Sequence, residues 1–302
     1  MSEFLQVTAT TLNLRRSPAI NPANIIGRLG QGEVVEKIGQ PSPDWFEVKG
    51  SHLGGFAAAR FLSPAPAPAA PPAATPAPFV PREVHFPPSP RAALDSIEQR
   101  HCPLNASNPQ PRAPGQSDAD RCAALNSIVQ LLDVEHSARY QRTANTTFCN
   151  IYAYDFCYMA KVYLPRVWWM SKAILDLSRG AEPGVAYGKT VRELTANGLF
   201  DWLSEWGDDY GWQRVTDVND LQSAANHGFV GLICAQRQVL STPGHIVVVV
   251  PESAGHVAER VGQSVTLPLQ SQAGGKNKSY FCNQWWIDRG AEFRAHGFWV
   301  HP

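Results

Sequence analysis

The chain has neither an excess of charge nor a long apolar run. Its 302 residues include 26 lysines and arginines against 26 aspartates and glutamates. A balanced chain has no net field that draws it to nucleic acid or to an acidic membrane surface, so we expect neither nucleic-acid binding nor membrane insertion. No stretch approaches the roughly 18 apolar residues of a spanning helix, and the opening MSEFLQVTAT lacks the basic and apolar regions of a signal peptide.

Paired cysteine motifs are also missing. The six cysteines are scattered, with no CxxC pair and no short cysteine–histidine spacing of the kind found in structural zinc sites. Structural zinc sites use such spacings, so we expect no metal, and nothing in the sequence calls for an organic cofactor. A disulfide framework is not expected at this cysteine density, although a bridge between Cys102 and Cys122 stays open.

Proline and alanine are abundant in one short region. Residues 63–81 read SPAPAPAAPPAATPAPFVP, which lacks the apolar side chains needed to fold and is typical of an extended spacer. We therefore predict two domains, residues 1–63 and 90–302, joined by a linker over residues 64–89.

The residues before the linker predict a small all-β barrel. Short runs of β type, TTLNLRRSPAI, IGRLGQGEVVEKIG, DWFEVKG and GGFAAARFL, are separated by turn residues. Their order resembles that of bacterial SH3-like domains over most of residues 4–63. The resemblance implies binding to cell-wall peptides or glycans. The strand pattern by itself equally allows a passive spacer or a docking module for a protein partner.

After the linker, the apolar periodicity is first helical and then of β type. Spacings of three and four predict helices over residues 90–101, 117–135, 190–206 and 217–228. Runs of β-branched residues predict strands over residues 229–236, 245–252 and 264–274, the last two as a hairpin. Helices followed by an antiparallel sheet indicate an α+β domain.

One cysteine stands at the start of a predicted helix. Thr146 and Thr147 are residue types that cap helices, and the segment CNIYAYDFCYMAKVYL continues without glycine or proline as far as Pro165. Unpaired backbone N–H groups and the helix dipole at this position favour a thiolate. Cys149 is therefore a candidate nucleophile, whereas free cysteines in general are more often buried packing residues.

A histidine and a glutamine are candidates to complete the site. His245 begins a long apolar strand after a Pro-Gly turn, which is a rigid mount for a general base. If this strand pairs with the next one, Gln270 and Gln272 share one face near the histidine, and Ser271 faces away. We predict that Gln272 orients the imidazole; Gln270 is an alternative, and so is Glu252 if the strand ends earlier.

Neighbours of Cys149 on the predicted helix are candidates for a supporting role. Tyr152, three positions on, shares a face with the cysteine and is predicted to shape the cleft, and Asn150 is predicted to contact substrate, as is Gln270. Asp155, six positions on, lies off that face. It either supports the site or makes a structural hydrogen bond.

The chain order of cysteine, histidine and polar residue is that of a known group of enzymes. Through TFCNIYAYDF, GHIVVVV and LQSQAG, roughly residues 115–302 resemble the NlpC-type and CHAP cell-wall peptidases. Phe148 stands where those families more often have aspartate, and a glutamine stands where they more often have histidine or asparagine. The resemblance implies a papain-like fold and a cysteine peptidase or amidase that acts on peptidoglycan.

Both resemblances together predict a hydrolase that cuts an amide bond in the peptide part of the wall. Without a signal peptide, we expect synthesis in the bacterial cytoplasm and action at the wall or periplasm of a target or host cell after delivery. A phage-type lysin and an antibacterial effector of type VI secretion both fit; an effector implies an immunity protein and a component of the secretion machinery as partners. A papain-like toxin, protease or deamidase, acting on host proteins and a non-catalytic wall-binding protein remain alternatives.

Overall fold

The protein, described here from a computed structural model, divides into two compact units, residues 1–78 and 79–302. The structure describes the residue ranges 3–21, 24–50, 54–66 and 79–302. Within these ranges, no helix is both long enough and apolar enough to cross a bilayer.

The predicted linker ends earlier than the sequence indicates. Its central part, residues 67–78, lies outside the described residues. Residues 79–89 belong to the second unit, where the indole N–H of Trp169 donates to the carbonyl of Arg82 at 2.8 Å and the Val84 side chain is buried in the core. The apolar side chains of this short segment anchor it, although the prolines around it conceal any periodicity.

The first unit is a seven-stranded antiparallel sheet. Its strands are β1 (Glu3–Val7), β2 (Thr11–Arg15), β3 (Ile25–Gly30), β4 (Val34–Ser42), β5 (Trp45–Lys49), β6 (Gly54–Ala58) and β7 (Leu62–Ala65). Their order across the sheet is β3-β2-β6-β5-β4-β1-β7. Leu5, Val7, Leu12 and Leu14 alternate with polar residues and contribute to its own buried core. The predicted all-β character is therefore present; the SH3-like barrel stays a prediction.

The second unit combines six helices with ten strands in the described part of the chain. The helices are α1 (Asp118–Leu132), α2 (Cys149–Met159), α3 (Ser171–Ser178), α4 (Ala196–Glu205), α5 (Val218–Asn226) and α6 (Trp285–Asp288). The strands are β8 (Val167–Trp169), β9 (Val191–Glu193), β10 (Gln213–Val215), β11 (Val230–Arg237), β12 (His245–Val249), β13 (Glu259–Val261), β14 (Ser264–Leu267), β15 (Leu269–Gln272), β16 (Lys278–Cys282) and β17 (Phe293–His301). The mixed composition and the antiparallel pairing agree with the α+β class.

A six-stranded sheet in the order β10-β17-β11-β12-β15-β16 forms the centre of this unit. On β12, Ile246 and Val248 pack into a core that includes α1, α2 and α4, whereas Val247 and Val249 pack into a second core with α5 and α6. Because both faces of the strand are buried, its sequence is a continuous apolar run rather than an alternating one.

One predicted helix is absent and another is shorter. Residues 90–101 form turns, in which the carbonyl of Leu94 accepts from Ser137 and Arg139 instead of from a residue one turn on. Pro88 and Pro90 at its start limit helical pairing, and contacts with a distant segment satisfy the backbone instead. The helix predicted over 190–206 begins only at Ala196, because the residues before it form β9.

The predicted hairpin of residues 245–252 and 264–274 is wrong in its connection but not in its pairing direction. The second segment divides at Pro268 into β14, which pairs with β13, and β15, which pairs antiparallel with β12. Val248 lies opposite Ser271 and Val249 opposite Gln270. The register brings the end of β15 back toward the start of β12, where His245 lies.

Candidate active site

Cys149 is the first residue of α2, as the sequence predicts. The residue before the helix is Phe148 and makes no side-chain cap, so neither Thr146 nor Thr147 caps the helix. The Phe148 carbonyl instead accepts from the N–H groups of Ile151 and Tyr152. Of the N–H groups in the first turn, those of Cys149 and Asn150 are the ones that act on the thiol.

The Cys149 thiol is buried among hydrogen-bond donors. Burial raises the pKa of the thiol, and four donors oppose that effect: the backbone N–H groups of Ile246, Asn150 and Cys149, and the Thr147 hydroxyl. Burial is the largest contribution, so the resting group is a thiol and not a thiolate. It needs a base to take its proton during attack.

His245, at the first position of β12, is oriented by Gln272. The imidazole Nε2 and Gln272 Oε1 are 2.6 Å apart, and the Gln272 amide nitrogen donates to the Lys276 carbonyl at 3.1 Å. Since the second bond fixes which end of the amide faces the histidine, Nε2–H must donate to Oε1. The lone pair then resides on Nδ1, which is the nitrogen left to act as a base.

The environment keeps this imidazole neutral. Burial lowers the pKa of His245 to about 4; the positive charges of Arg289 and Arg237 act in the same direction, and the Gln272 hydrogen bond opposes them. The Trp285 ring packs against the imidazole with centroids 4.7 Å apart and the planes at 77°. A neutral imidazole beside a neutral thiol is suited to general-base attack rather than to a preformed ion pair.

Cys149 and His245 line two adjoining cavities. The thiol cavity, of about 220 Å³, is lined by Cys149 and Asn150 among others, and the imidazole cavity, of about 400 Å³, by His245 and Gln272 among others. Thr147, Pro243 and Gly244 line both and form their shared wall.

No hydrogen bond links the thiol to the imidazole in the part of the chain that the structure describes. Catalytic hydrogen bonds often tighten only in the complex with substrate. The scissile bond of a substrate that lies across the shared wall would face both the thiol and the imidazole. The assignment of Cys149 as nucleophile and His245 as base stays a prediction.

The structure corrects the role of Gln270. Its side chain is buried, donates to the carbonyls of Pro268 and Asn283, and accepts from the Trp285 indole N–H at 3.0 Å. It therefore has no hydrogen bond to the imidazole and lines neither of the two cavities. It fixes Trp285, which in turn packs against His245.

Tyr152 does not shape the cleft as predicted. It is fully buried, and its hydroxyl is 2.6 Å from that of Ser271, on the opposite face of β15 from Gln272. Asn150 does line the thiol cavity, but its side-chain N–H donates to the Leu194 carbonyl at 2.9 Å.

Both acidic candidates are engaged away from the imidazole. Asp155 is buried and accepts from the Arg139 guanidinium at 2.6 and 3.1 Å and from the Tyr140 hydroxyl at 2.9 Å, so it is part of a structural network. Glu252 forms an ion pair with Arg260, and the hydrogen bond from Arg260 is the main reason that its pKa falls to about 2. It does not take the place of Gln272.

The loop that carries His245 is held by Asn197 of α4. The Asn197 side chain donates to the carbonyls of Leu240 and Thr242 and accepts from the Arg237 N–H at 3.0 Å. At Gly244 a Cβ would lie 2.4 Å from Asn197 Oδ1. Only glycine fits at this point of the shared wall.

The sequence argument missed several residues that the fold brings to the site. These are Thr147, Asn197, Arg237, Trp285 and Arg289. Thr147 had one available signal, its position two residues before the cysteine. The others come from distant segments without a motif, and only the sheet order places them here.

Comparisons with known proteins do not identify the chain. No family model matches it, and no curated protein does. Among solved structures, NlpC2 from Trichomonas vaginalis has a TM-score of 0.25 and 9% sequence identity, covering 94% of this chain and 96% of its own. A likeness this low carries no argument about the reaction, which has to rest on the geometry of the site.

Proposed function

We propose that the protein is a peptidoglycan hydrolase that cleaves an amide bond in the peptide part of the wall. The main support is the 2.6 Å contact between His245 Nε2 and Gln272 Oε1, in a cavity that shares a wall with the one containing Cys149. A thiol, an imidazole and a side-chain amide from three different elements thereby line two cavities with one shared wall, and they are the groups that the proposed reaction needs as nucleophile, base and orienting group.

In the proposed reaction, His245 Nδ1 takes the proton of the Cys149 thiol as the sulfur attacks the amide carbonyl. The developing oxyanion accepts from backbone N–H groups near the thiol, that of Cys149 among them. The imidazolium then gives its proton to the leaving nitrogen as the C–N bond breaks. Water, deprotonated by the same imidazole, hydrolyses the thioester and regenerates the thiol.

The first unit would serve as the wall-targeting module of this hydrolase. Delivery as a phage-type lysin, or as an effector with an immunity protein and a secretion-machinery partner, is part of the same proposal. Its basis is the sequence resemblance described above.

Digestion of purified sacculi tests the reaction. Wild-type protein is expected to release peptide fragments whose masses identify one broken amide bond, and Cys149→Ala is expected to release none. Intact sacculi after exposure to the folded wild-type protein would contradict the proposal. Cleavage or deamidation of added proteins under the same conditions would instead support the papain-like toxin.

A further inference from the structure

The imidazole cavity has a positively charged wall. Arg237, at the end of β11, and Arg289, just after α6, line it together with His245, Gln272 and Trp285. Among the described residues that line this cavity, none is an aspartate or a glutamate. A ligand there would meet two guanidinium groups, and the carboxylate that pairs with them, that of Glu292, is not among the lining residues.

Both arginines are held in place by one acidic side chain behind the wall. Glu292 accepts from Arg289 Nε at 2.8 Å and from Arg289 Nη2 at 2.6 Å, and it also pairs with Arg237 Nη1. Arg237 further donates to the Pro243 carbonyl at 2.9 Å. One carboxylate shared by two guanidinium groups leaves one positive charge without a counter-charge.

That charge reaches the imidazole. His245 contacts two neutral side chains, Gln272 from β15 and Trp285 from α6, and the two arginines are the charged groups that act on it. The Cys149 thiol lies in the cavity on the other side of the shared wall. Both arginines lower the pKa of His245. Their charges are therefore directed toward the place where the proton is transferred, and not only toward solvent.

The chemistry assigns one half of the substrate to this cavity. Since His245 gives its proton to the leaving nitrogen, the amine half of the cleaved amide has to lie on the imidazole side, and the acyl half on the thiol side. Anything attached close to the leaving nitrogen then faces Arg237 and Arg289.

We infer that the amine half of the substrate carries a free carboxylate, which binds Arg237 and Arg289. This inference rests on the proposed function and narrows it to amides whose leaving amine belongs to an amino acid with an ionised carboxyl group nearby. Guanidinium groups bind carboxylates through charge-assisted, often bidentate hydrogen bonds. The carboxylate also supplies the negative charge that the wall lacks.

Binding of this carboxylate also assists the reaction. The two arginines disfavour a positive imidazole in the empty site, and a bound carboxylate offsets them. The bound carboxylate therefore stabilises the imidazolium that His245 becomes when it takes the thiol proton. Substrates with the carboxylate therefore gain in turnover as well as in binding.

The test compares two versions of one substrate. Once mass analysis of digested sacculi has located the cut bond, the fragment is synthesised with the carboxyl group of its leaving residue free, or as the carboxamide. Wild type is expected to cleave the free acid with kcat/KM about 10- to 100-fold above the carboxamide. Arg289→Gln is expected to lose most of this preference, and Arg289→Lys to keep part of it. Arg179→Gln, which removes an exposed arginine after α3, is the matched control and keeps the full preference.

The outcomes separate this inference from the proposed function. If wild type cleaves both versions at the same rate, the hydrolase stands and the carboxylate site is wrong. A preference that persists undiminished in both Arg289→Gln and Arg237→Gln would also overturn it. If the folded wild type leaves sacculi intact, no cut bond is located; the proposed function then fails, and the inference fails with it.

Discussion

The two cavities of the site differ in how their charges are balanced. In the thiol cavity, Arg166 is paired with Glu193 at 2.9 Å, and the cysteine is surrounded by backbone N–H groups. In the imidazole cavity, two arginines share one glutamate and no acidic residue lines the described surface. The thiol side is therefore suited to a neutral carbonyl and its transient oxyanion, and the imidazole side to a leaving amine that carries a carboxylate.

The largest expected effect comes from the thiol side. Cys149→Ala removes the nucleophile, and the small change in volume should leave the fold intact. Activity on sacculi is expected to fall by about 10⁴-fold or more, with an unchanged circular dichroism spectrum. Digestion at the wild-type rate would show that Cys149 is a packing residue and would remove the chemical difference between the cavities.

On the imidazole side, Gln272→Ala is expected to have the next largest effect. Its loss frees the ring to sample other orientations, but thiol and imidazole remain, so turnover should fall by about 100-fold and stay above that of Cys149→Ala.

Gln270→Ala serves as the comparison for Gln272→Ala, because it acts through Trp285 and should have a milder effect on turnover. All variants are compared at equal folded concentration. If Gln272→Ala keeps full turnover and Gln270→Ala loses most of it, then Trp285, held by Gln270, orients the imidazole instead of Gln272.

Removal of the first unit should change binding more than chemistry. A chain starting at residue 79 keeps the anchored segment around Val84 and both cavities. Its binding to sacculi is expected to weaken by about tenfold or more, because two linked contacts become one, while turnover of a small soluble fragment stays the same. If the full-length protein and the chain that starts at residue 79 sediment equally with sacculi, the first unit has no targeting role.

The smallest expected effect concerns pH. Because a protonated imidazole cannot accept the thiol proton, kcat/KM should fall as the pH drops through the pKa of His245, which lies at about 4. Arg289→Gln removes a positive charge that disfavours the imidazolium, so the pKa of His245 rises and the acid limb moves up by about half a pH unit. A wild-type midpoint near 6.5, the ordinary value for histidine, would mean that neither burial nor the arginines lower the pKa of His245.

Local sequence patterns correctly predicted where a residue lies in a helix or strand when its neighbours along the chain determine that position. Cys149 starts a helix because an uninterrupted helical segment follows it, and His245 starts a strand because an apolar run follows a Pro-Gly turn. The two-residue period also separated Gln272 from Ser271, which bonds to Tyr152 on the other face.

Tertiary contacts determine those parts of the fold and of the site that the sequence did not predict. The tryptophan-rich segment of α6 has no periodicity of its own, and only its packing against β12 brings Trp285 to His245. The helix predicted over residues 90–101 failed because distant residues satisfy its backbone. Tyr152 shares a helical face with Cys149, but one turn further along the helix that face packs against the sheet, where the Tyr152 hydroxyl meets that of Ser271.

The glycine in the shared wall limits how the proposed site can be re-engineered. Both Asn197 Oδ1 and the Ala235 carbonyl oxygen, 2.4 and 2.5 Å from where a Cβ at Gly244 would lie, belong to groups that hold the loop and the strand. A saturation library at this position should therefore return only glycine among active clones. Attempts to widen or narrow substrate choice by directed evolution will have to vary the far walls of the cavities, around Glu193 on one side and Arg289 on the other.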